Sequence, residues 1–496
     1  MRTTYNKLGG GVLAKARAKT VEWLIALSGT VVPTPPFPMS IYAQEARRTL
    51  ALAGPIMIGQ VSQMLMGVTD ALMIGHVGKV PLAASAFAGS LFGFVFMIAV
   101  GLLIPVSIMV SRAHGGGDEV EAGHWLKHGM ILAAVSSVLG VALMLWLGTQ
   151  LHRFGQPPEV LAVVHPYYAL IVISTIPALL FQVLRQFSES LERPRAPMVM
   201  MLIGVVLNIF LNWVLIYGNI GAPAMGLAGA GWATLISRIL GMVVIWYWVS
   251  RSAYFSRAWP TSWTVGYQWS RFRRLLGLGI PVAFTLSFEA GIFGGAALVM
   301  GWLGSTALAA HQIAISCAAF VFMFPLGMAM AVSMRMSRAV GAGRLEALRP
   351  IGFGAQAMSA VLMLLFTVVF VVAGRPISAA FVLDLEVIEL SVKLLVVAAI
   401  FLLADGAQVI SANALRGLTD VKVPTLITAV CYWGVAMPLA YGLAMHTGWG
   451  PIGVWIGLAT GLILAAVALN SRFIYLTRDG GAHVKLELEE ETSSAV

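Results

Sequence analysis

The chain has 496 residues, 59% of them apolar and only 10% charged, with a mean hydropathy of +0.87. Soluble domains are about 45–50% apolar and about 25% charged, so a soluble globule is excluded and an all-α integral membrane protein is predicted. The formal charge of +10 belongs with a membrane rather than with nucleic acid, because basic residues gather in short loops between apolar runs.

Residues 1–44 are read as a cytoplasmic N-terminal extension. The early basic residues and the stretch VEWLIALSGTVV resemble the n- and h-regions of a signal peptide. That apolar piece is too short to span, no A-x-A-like cleavage site follows it, and Met39 offers an alternative start. Twelve apolar runs come next, each long enough to cross a ~30 Å hydrocarbon core as a helix. They lie at 50–74, 84–110, 124–148, 161–187, 197–218, 226–250, 275–300, 307–333, 352–373, 389–414, 424–445 and 451–475. The loops between them fall into two sets. One holds Arg112, Arg193, Arg195, the Arg-rich stretch 251–274, Arg338, Arg344, Arg349, Arg416, Lys422 and the tail 476–496. The other holds only Lys79, Arg153, Arg375 and Lys393. The positive-inside rule then places both termini in the cytoplasm of a cell inner-membrane protein. Cys317 and Cys431 both fall inside apolar runs and are expected to be buried thiols.

An internal repeat organises the spans. A shift of 226 residues carries Pro55 to Pro281, Gly75 to Gly301, Gly78 to Gly304 and Leu82-Ala83-Ala84 to Leu308-Ala309-Ala310. It also carries FVFM at 94–97 to FVFM at 320–323, S-R-A-x-G-x-G at 111–117 to 337–343, and Gln182-Val183 to Gln408-Val409. The unit is six spans, an even number, so the halves enter from the same side and form two parallel six-helix repeats about a pseudo-twofold axis along the membrane normal. An N-lobe over 45–250, a basic linker over 251–274 and a C-lobe over 275–475 follow, with a cavity expected between the lobes.

Acids inside spans carry the most information. An Asp at a helix centre costs about 2.5–3.5 kcal/mol on insertion scales, so it faces a bundle interior or a wet cavity. In the first span Gly59, Gln63, Gly67 and Asp70 fall about one turn apart on one face, and Pro55 is expected to open that span. In the seventh, Thr285, Glu289 and Phe293 share a face, and Glu289 corresponds by the repeat to Gln63. The tenth places Asp405, Gln408 and Ser411 at i, i+3 and i+6, whereas its counterpart around Gln182 has no acid. The fifth carries Asn208 and Asn212 at i, i+4. Carboxylates beside amide oxygens make a hard-oxygen set that suits Na⁺ as well as a proton. Asp70 and Glu289 are therefore expected to face a shared cavity as coupling-ion or substrate groups, with Gln63, Gln182, Thr285 and Gln408 as lining or support.

Other signals carry less. His124 and His128 share a helix face but have no neighbouring Glu, so a metal is not expected there. The glycines of AHGGGDEVEAG lack the Lys-Ser/Thr of a phosphate loop and read as a turn. His311, alone in a span, reads as a core residue. No ATP-binding motif and no clustered nucleophile and base are found, so neither ATP nor enzyme chemistry is expected. A subset of the 25 Met is expected to line an adaptable apolar pocket.

The pieces P-x(14)-D-A-L-M-I-G, FEAGIFGGAALV, D-G-A-Q-V-I-S-A-N-A-L-R-G and VLNIFLN resemble the multidrug and toxic-compound extrusion (MATE) family, in its NorM-type branch, from about residue 45 to 475. The resemblance implies a monomeric antiporter in the lipid bilayer that expels bulky, often cationic amphipathic drugs and dyes by alternating access. It implies inward Na⁺ or H⁺ as the driving ion and no cofactor. It gives Asp70 the N-lobe cation-site role, helped by Asn208, Asn212 and Thr234, and gives Glu289 and Asp405 the C-lobe roles. Asp384 resembles a further acid of this branch. In one departure, Asn212 stands where some relatives carry an Asp. The alternative is a lipid-linked oligosaccharide flippase of the same broad superfamily. Such a protein is expected to hold its pyrophosphate with Arg or Lys in central spans, whereas the basic residues here are read as lying almost entirely in loops.

Overall fold

The computed structural model describes residues 41–478. The signal-like stretch, the alternative start at Met39 and most of the tail beyond 476 lie outside the described residues. Twelve helices long and apolar enough to cross a membrane follow one another. They are α1 (Ile41–Gly75), α2 (Lys79–Gly115), α3 (Glu119–Thr149), α4 (Pro158–Ser190), α5 (Arg195–Tyr217) and α6 (Leu227–Arg251) in the first half. The second half has α7 (Trp269–Trp302), α8 (Ser305–Gly341), α9 (Leu345–Ala379), α10 (Leu385–Gly417), α11 (Lys422–His446) and α12 (Gly450–Leu476).

The repeat holds in three dimensions. A 226-residue shift carries α2 onto α8 residue for residue, and the bounds of the other helices to within a few positions. Glycines show how the halves meet. A Cβ on Gly101 of α2 would lie 2.6 Å from Ala283 Cα of α7, and one on Gly327 of α8 would lie 2.7 Å from Met57 Cα of α1. The shift turns the first pair into the second. At the ends of α2 and α8, a Cβ on Gly115 would overlap the carbonyl oxygen of Arg338, and one on Gly341 that of Arg112. These contacts are again exchanged by the shift, as a pseudo-twofold axis requires. The glycines read as a turn therefore include a close backbone approach between the lobes. Ser337 adds a hydrogen bond to the Ile108 carbonyl at 2.7 Å. Both described termini lie at this same end, because an even number of helices separates them.

Pro55 does not open the first span. α1 begins at Ile41, and Pro55 lies inside it. The segment IYAQEARRT is polar enough to fall below a hydropathy threshold, yet it is helical because one face docks on the other lobe. Arg335 of α8 donates to the carboxylate and carbonyl of Glu45 and to the Thr49 hydroxyl, with both charged side chains 8% exposed. Breaking a buried pair strands the remaining charge at a cost of about 3–5 kcal/mol. Arg335→Leu is expected to lower the thermal unfolding midpoint in detergent, and Glu45→Leu in the same chain to recover part of the loss.

Two irregularities prepare the site. α4 is interrupted at Ser174, between helical segments Pro158–Ile173 and Thr175–Ser190. Pro177 has no N–H for the Ile173 carbonyl, so the ladder opens there. α11 contains a π-helical stretch, Val430–Ala436, just before Pro438 removes another donor. The π turn seats Trp433 and Met437 against α7, where a Cβ on Gly291 or Gly295 would come within 2.9 or 2.8 Å of them.

Candidate functional site

The acids turn into the lobes, where amide side chains meet them. In the N-lobe, Asn212 Nδ2 donates both to Asp70 Oδ1 and, at 3.2 Å, to Asn208 Oδ1. Thr234 and, one turn along α6, Arg238 interact with the same carboxylate, as does Tyr167. Arg238 is held by its own bond to Ser174 Oγ at 2.8 Å, so the break in α4 aims it. Asn208 and Asn212 are wholly buried, and Asn212 Oδ1 has no hydrogen-bond partner.

The C-lobe builds a matching cluster from different positions. Gln408 Nε2 donates to Glu289 Oε1 at 2.7 Å, and Asp405 lies close enough to interact with Glu289. Arg416 and Tyr432 complete the electrostatic group. Gln408 Oε1, like Asn212 Oδ1, is a buried acceptor without a partner. Asn208 and Asn212 shift onto Gly434 and Pro438, so the π turn and its Tyr432 stand in the C-lobe where the N-lobe has amides.

A cavity of 550 Å³ lies between the lobes, within the ~300–1,000 Å³ of drug-sized pockets. Gln63 of α1, Gln182 of α4, Leu286 of α7 and Asn413 of α10 line it together, so both lobes contribute. Six methionines also line it: Met66, Met97, Met200, Met201, Met330 and Met334. They are the adaptable subset that sequence did not single out; Met re-packs around varied shapes.

The predicted site residues separate into groups. Asp70, Asn208, Asn212 and Thr234 come together, as do Glu289, Asp405 and Gln408. Gln63 and Gln182 line the cavity without touching an acid. Asp70 and Glu289, expected to face the shared cavity, are not among the residues that line it, nor is Asp405; Asp70 and Glu289 are half-buried where an amide donor meets each, and Asp405 is buried. Thr285 belongs to neither cluster. It bonds Thr425 at 2.8 Å and the Pro281 carbonyl at 3.1 Å, tying α7 to α11. Ser411 is turned away to Gln356 of α9.

Asp384 is also outside the site. It is exposed and caps α10, accepting from Glu386 N at 2.9 Å and Val387 N at 3.4 Å. Asp384→Ala is expected to cost about 1 kcal/mol of stability, read as a small drop in melting midpoint, with transport at the parental rate.

Sequence reading missed the arginines. Arg185, Arg238 and Arg416 line the cavity, although basic residues were placed almost entirely in loops. Arg416, assigned to a loop, sits 4% exposed in the last turn of α10. Arg185 is 2% exposed in α4, with Glu189 one turn on at 3.7 Å. The i, i+4 spacing of Arg185 and Glu189 was the available signal.

Two matches decide the identity. The MatE family model matches residues 55–214 and again 281–442, once in each lobe and together more than half the chain. A probable multidrug resistance protein NorM of Mesorhizobium japonicum is 36% identical over 451 residues, covering 88% of this chain and 95% of the relative. The chain belongs to the MATE family. This makes it a transporter rather than an enzyme, and its matched relatives are of NorM type. The multidrug resistance protein PmpM of Pseudomonas aeruginosa is 34% identical, covering 91% of this chain and 96% of its own. A solved MATE transporter of Vibrio cholerae has the same fold, with a TM-score of 0.82 at 21% identity, covering 89% of this chain and 98% of that one.

Proposed function

We propose that this MATE protein exports amphipathic drugs and dyes from the cell by antiport, driven by inward Na⁺ or H⁺ at the inner membrane. Its lobes rock about the central cavity. Each lobe holds one cation site: Asp70 with Asn208, Asn212 and Thr234, and Glu289 with Asp405 and Gln408. The observation that carries the reading is the buried, orphaned amide oxygen beside a half-buried carboxylate in each lobe, Asn212 Oδ1 by Asp70 and Gln408 Oε1 by Glu289. Buried acceptors without donors are uncommon. Oxygen donors are what a hard cation takes, and a bound cation would meet both the orphaned amide oxygen and the carboxylate, in competition with Arg238 in the N-lobe and Arg416 in the C-lobe. The loop charges support a cytoplasmic position for both termini and the linker. With the lobes meeting at that end, the shape is that of an outward-facing carrier. A single chain holds both clusters and the cavity, which supports a monomer as the working unit.

Reconstitution into proteoliposomes tests this. A rhodamine-type dye is expected to move against its own gradient when a Na⁺ gradient, or else a pH gradient, is imposed, and to stop when an ionophore collapses it. Dye movement indifferent to both gradients contradicts the reading. The lipid-linked oligosaccharide flippase remains the second reading, favoured by one observation: three guanidinium groups line the cavity.

A further inference from the structure

We propose that two arginine arms, Arg338 to Glu192 and Arg112 to Thr419, latch the lobes together where α2 and α8 cross and set how readily that end opens. The proposal rests on the lobes rocking about the cavity and names the residues that hold one of the two end states. Arg112 of α2 and Arg338 of α8 correspond by the 226-residue shift. Both lie at the crossing itself, since the Arg338 carbonyl faces Gly115 and the Arg112 carbonyl faces Gly341. Each side chain reaches the other lobe. The Arg338 guanidinium pairs with the Glu192 carboxylate just past α4. Arg112 Nη2 donates to Thr419 Oγ1, just past α10, at 3.4 Å. The Thr419 hydroxyl gives its own proton to the Leu418 carbonyl at 2.6 Å, which leaves its lone pairs for Arg112.

The two acceptors stand on the same kind of turn. After α4, Arg193 N donates to the Ser188 carbonyl and Glu192 N to that of Glu189; after α10, Asp420 N donates to Leu415 and Thr419 N to Arg416. This helix ending has one left-handed residue, a position usually taken by glycine. Here the residues are Glu192, with a φ of 61°, and Thr419, with a φ of 69°. A Cβ makes that conformation costly, and a β-branched side chain makes it more so. Local folding alone would favour glycine at both places. A side chain that bonds across to the other lobe offsets the strain, and the exception recurs at both turns with different residues.

The arms differ in kind. Arg338 and Glu192 form an ion pair whose side chains are 33% and 47% exposed, so salt screens it. Arg112 meets a neutral hydroxyl, and salt affects that bond less. Exposed pairs shift an equilibrium only a few-fold. That suits a latch that opens in every cycle, whereas a fully buried pair would hold this end shut.

Spin labels on the two lobes, at this end and at the opposite one, follow the latch in nanodiscs. The parent protein is expected to show two distances at each end, in proportions that dye and cation change. Glu192→Gln and Thr419→Val keep side chains of similar size. Each is expected to favour the open form of this end about threefold, and the double variant about tenfold. Raising the salt concentration is expected to mimic Glu192→Gln in the parent and to add little in that variant. Glu192→Gly with Thr419→Gly relieves both backbones while removing both arms. It is expected to reach the membrane at parental levels and to open this end as far as the other double variant does. If the two side chains serve only their own turns, both double variants keep the parental proportions. That result, beside two distances in the parent, overturns the latch and leaves the rocking reading standing. A single distance in the parent under every ion and dye condition removes both.

Discussion

Glu289→Gln is expected to cut gradient-driven dye export several-fold or more while the protein remains in the membrane at parental levels. Glutamine preserves the shape, and its amide can still meet Gln408, whose Nε2 donates to Glu289 Oε1 at 2.7 Å. On the proposed mechanism, what is lost is the charge that a cation neutralises and releases in each cycle. Coupling free energies between sites are about 1–3 kcal/mol, so the gradient-driven component is expected to fall roughly 5–150-fold. The same exchange strands Arg416, whose electrostatic partner is Glu289. A drug-binding measurement on the variant therefore accompanies the export assay, because binding separates lost coupling from lost cavity. Export at the parental rate with parental cation dependence would remove Glu289 from the mechanism. Asp70→Asn makes the same demand on the N-lobe, and its smaller or larger loss would rank the two sites.

The second large effect is mechanical. Gly341→Val is expected to hold the lobes apart at the end where α2 and α8 meet. A Cβ at Gly341 overlaps the carbonyl oxygen of Arg112, and neither backbone can yield without moving its helix. Overpacking costs about 1–3 kcal/mol, enough to shift a two-state equilibrium about tenfold or more against the closed end. Spin labels on the two lobes near this end are expected to report a longer distance, with export reduced about tenfold. Gly115→Val is its counterpart through the repeat and is expected to match it. Gly54→Ala in α1, with nothing near its Cβ, is the control expected to leave the distance unchanged. Unaltered distances in both valine variants would mean that this crossing does not gate the cavity.

Much of this architecture was readable in the residues. Spans are legible because a helix needs about 20 apolar residues to cross the bilayer, and the register of 226 holds without a gap through the first two helices. The acids within the spans stood out for the opposite reason: a charge in hydrocarbon is too costly to be incidental. What could not be read were directions. Asp70 and Glu289 were expected to face the cavity, but a period of 3.6 residues fixes the face of a helix and not the neighbour that face meets. Arg185 and Arg238 escaped notice because their spans remain strongly apolar on average. Asp384 resembled a functional acid until its backbone bonds marked it as a helix cap. Tyr432 carried no signal, since its place beside Glu289 and Asp405 depends on a π turn.

The central claim is that cation and drug exclude one another through the lobe acids, and linkage makes that reciprocal. The most direct measurement is ion release on substrate binding, with purified transporter preloaded with radiolabelled Na⁺, or followed with a pH indicator, and then mixed with dye. The account predicts release of Na⁺ or H⁺ as the dye binds, and none from the Glu289→Gln, Asp70→Asn double variant. Dye that binds with no ion released, or with an ion taken up, would contradict it.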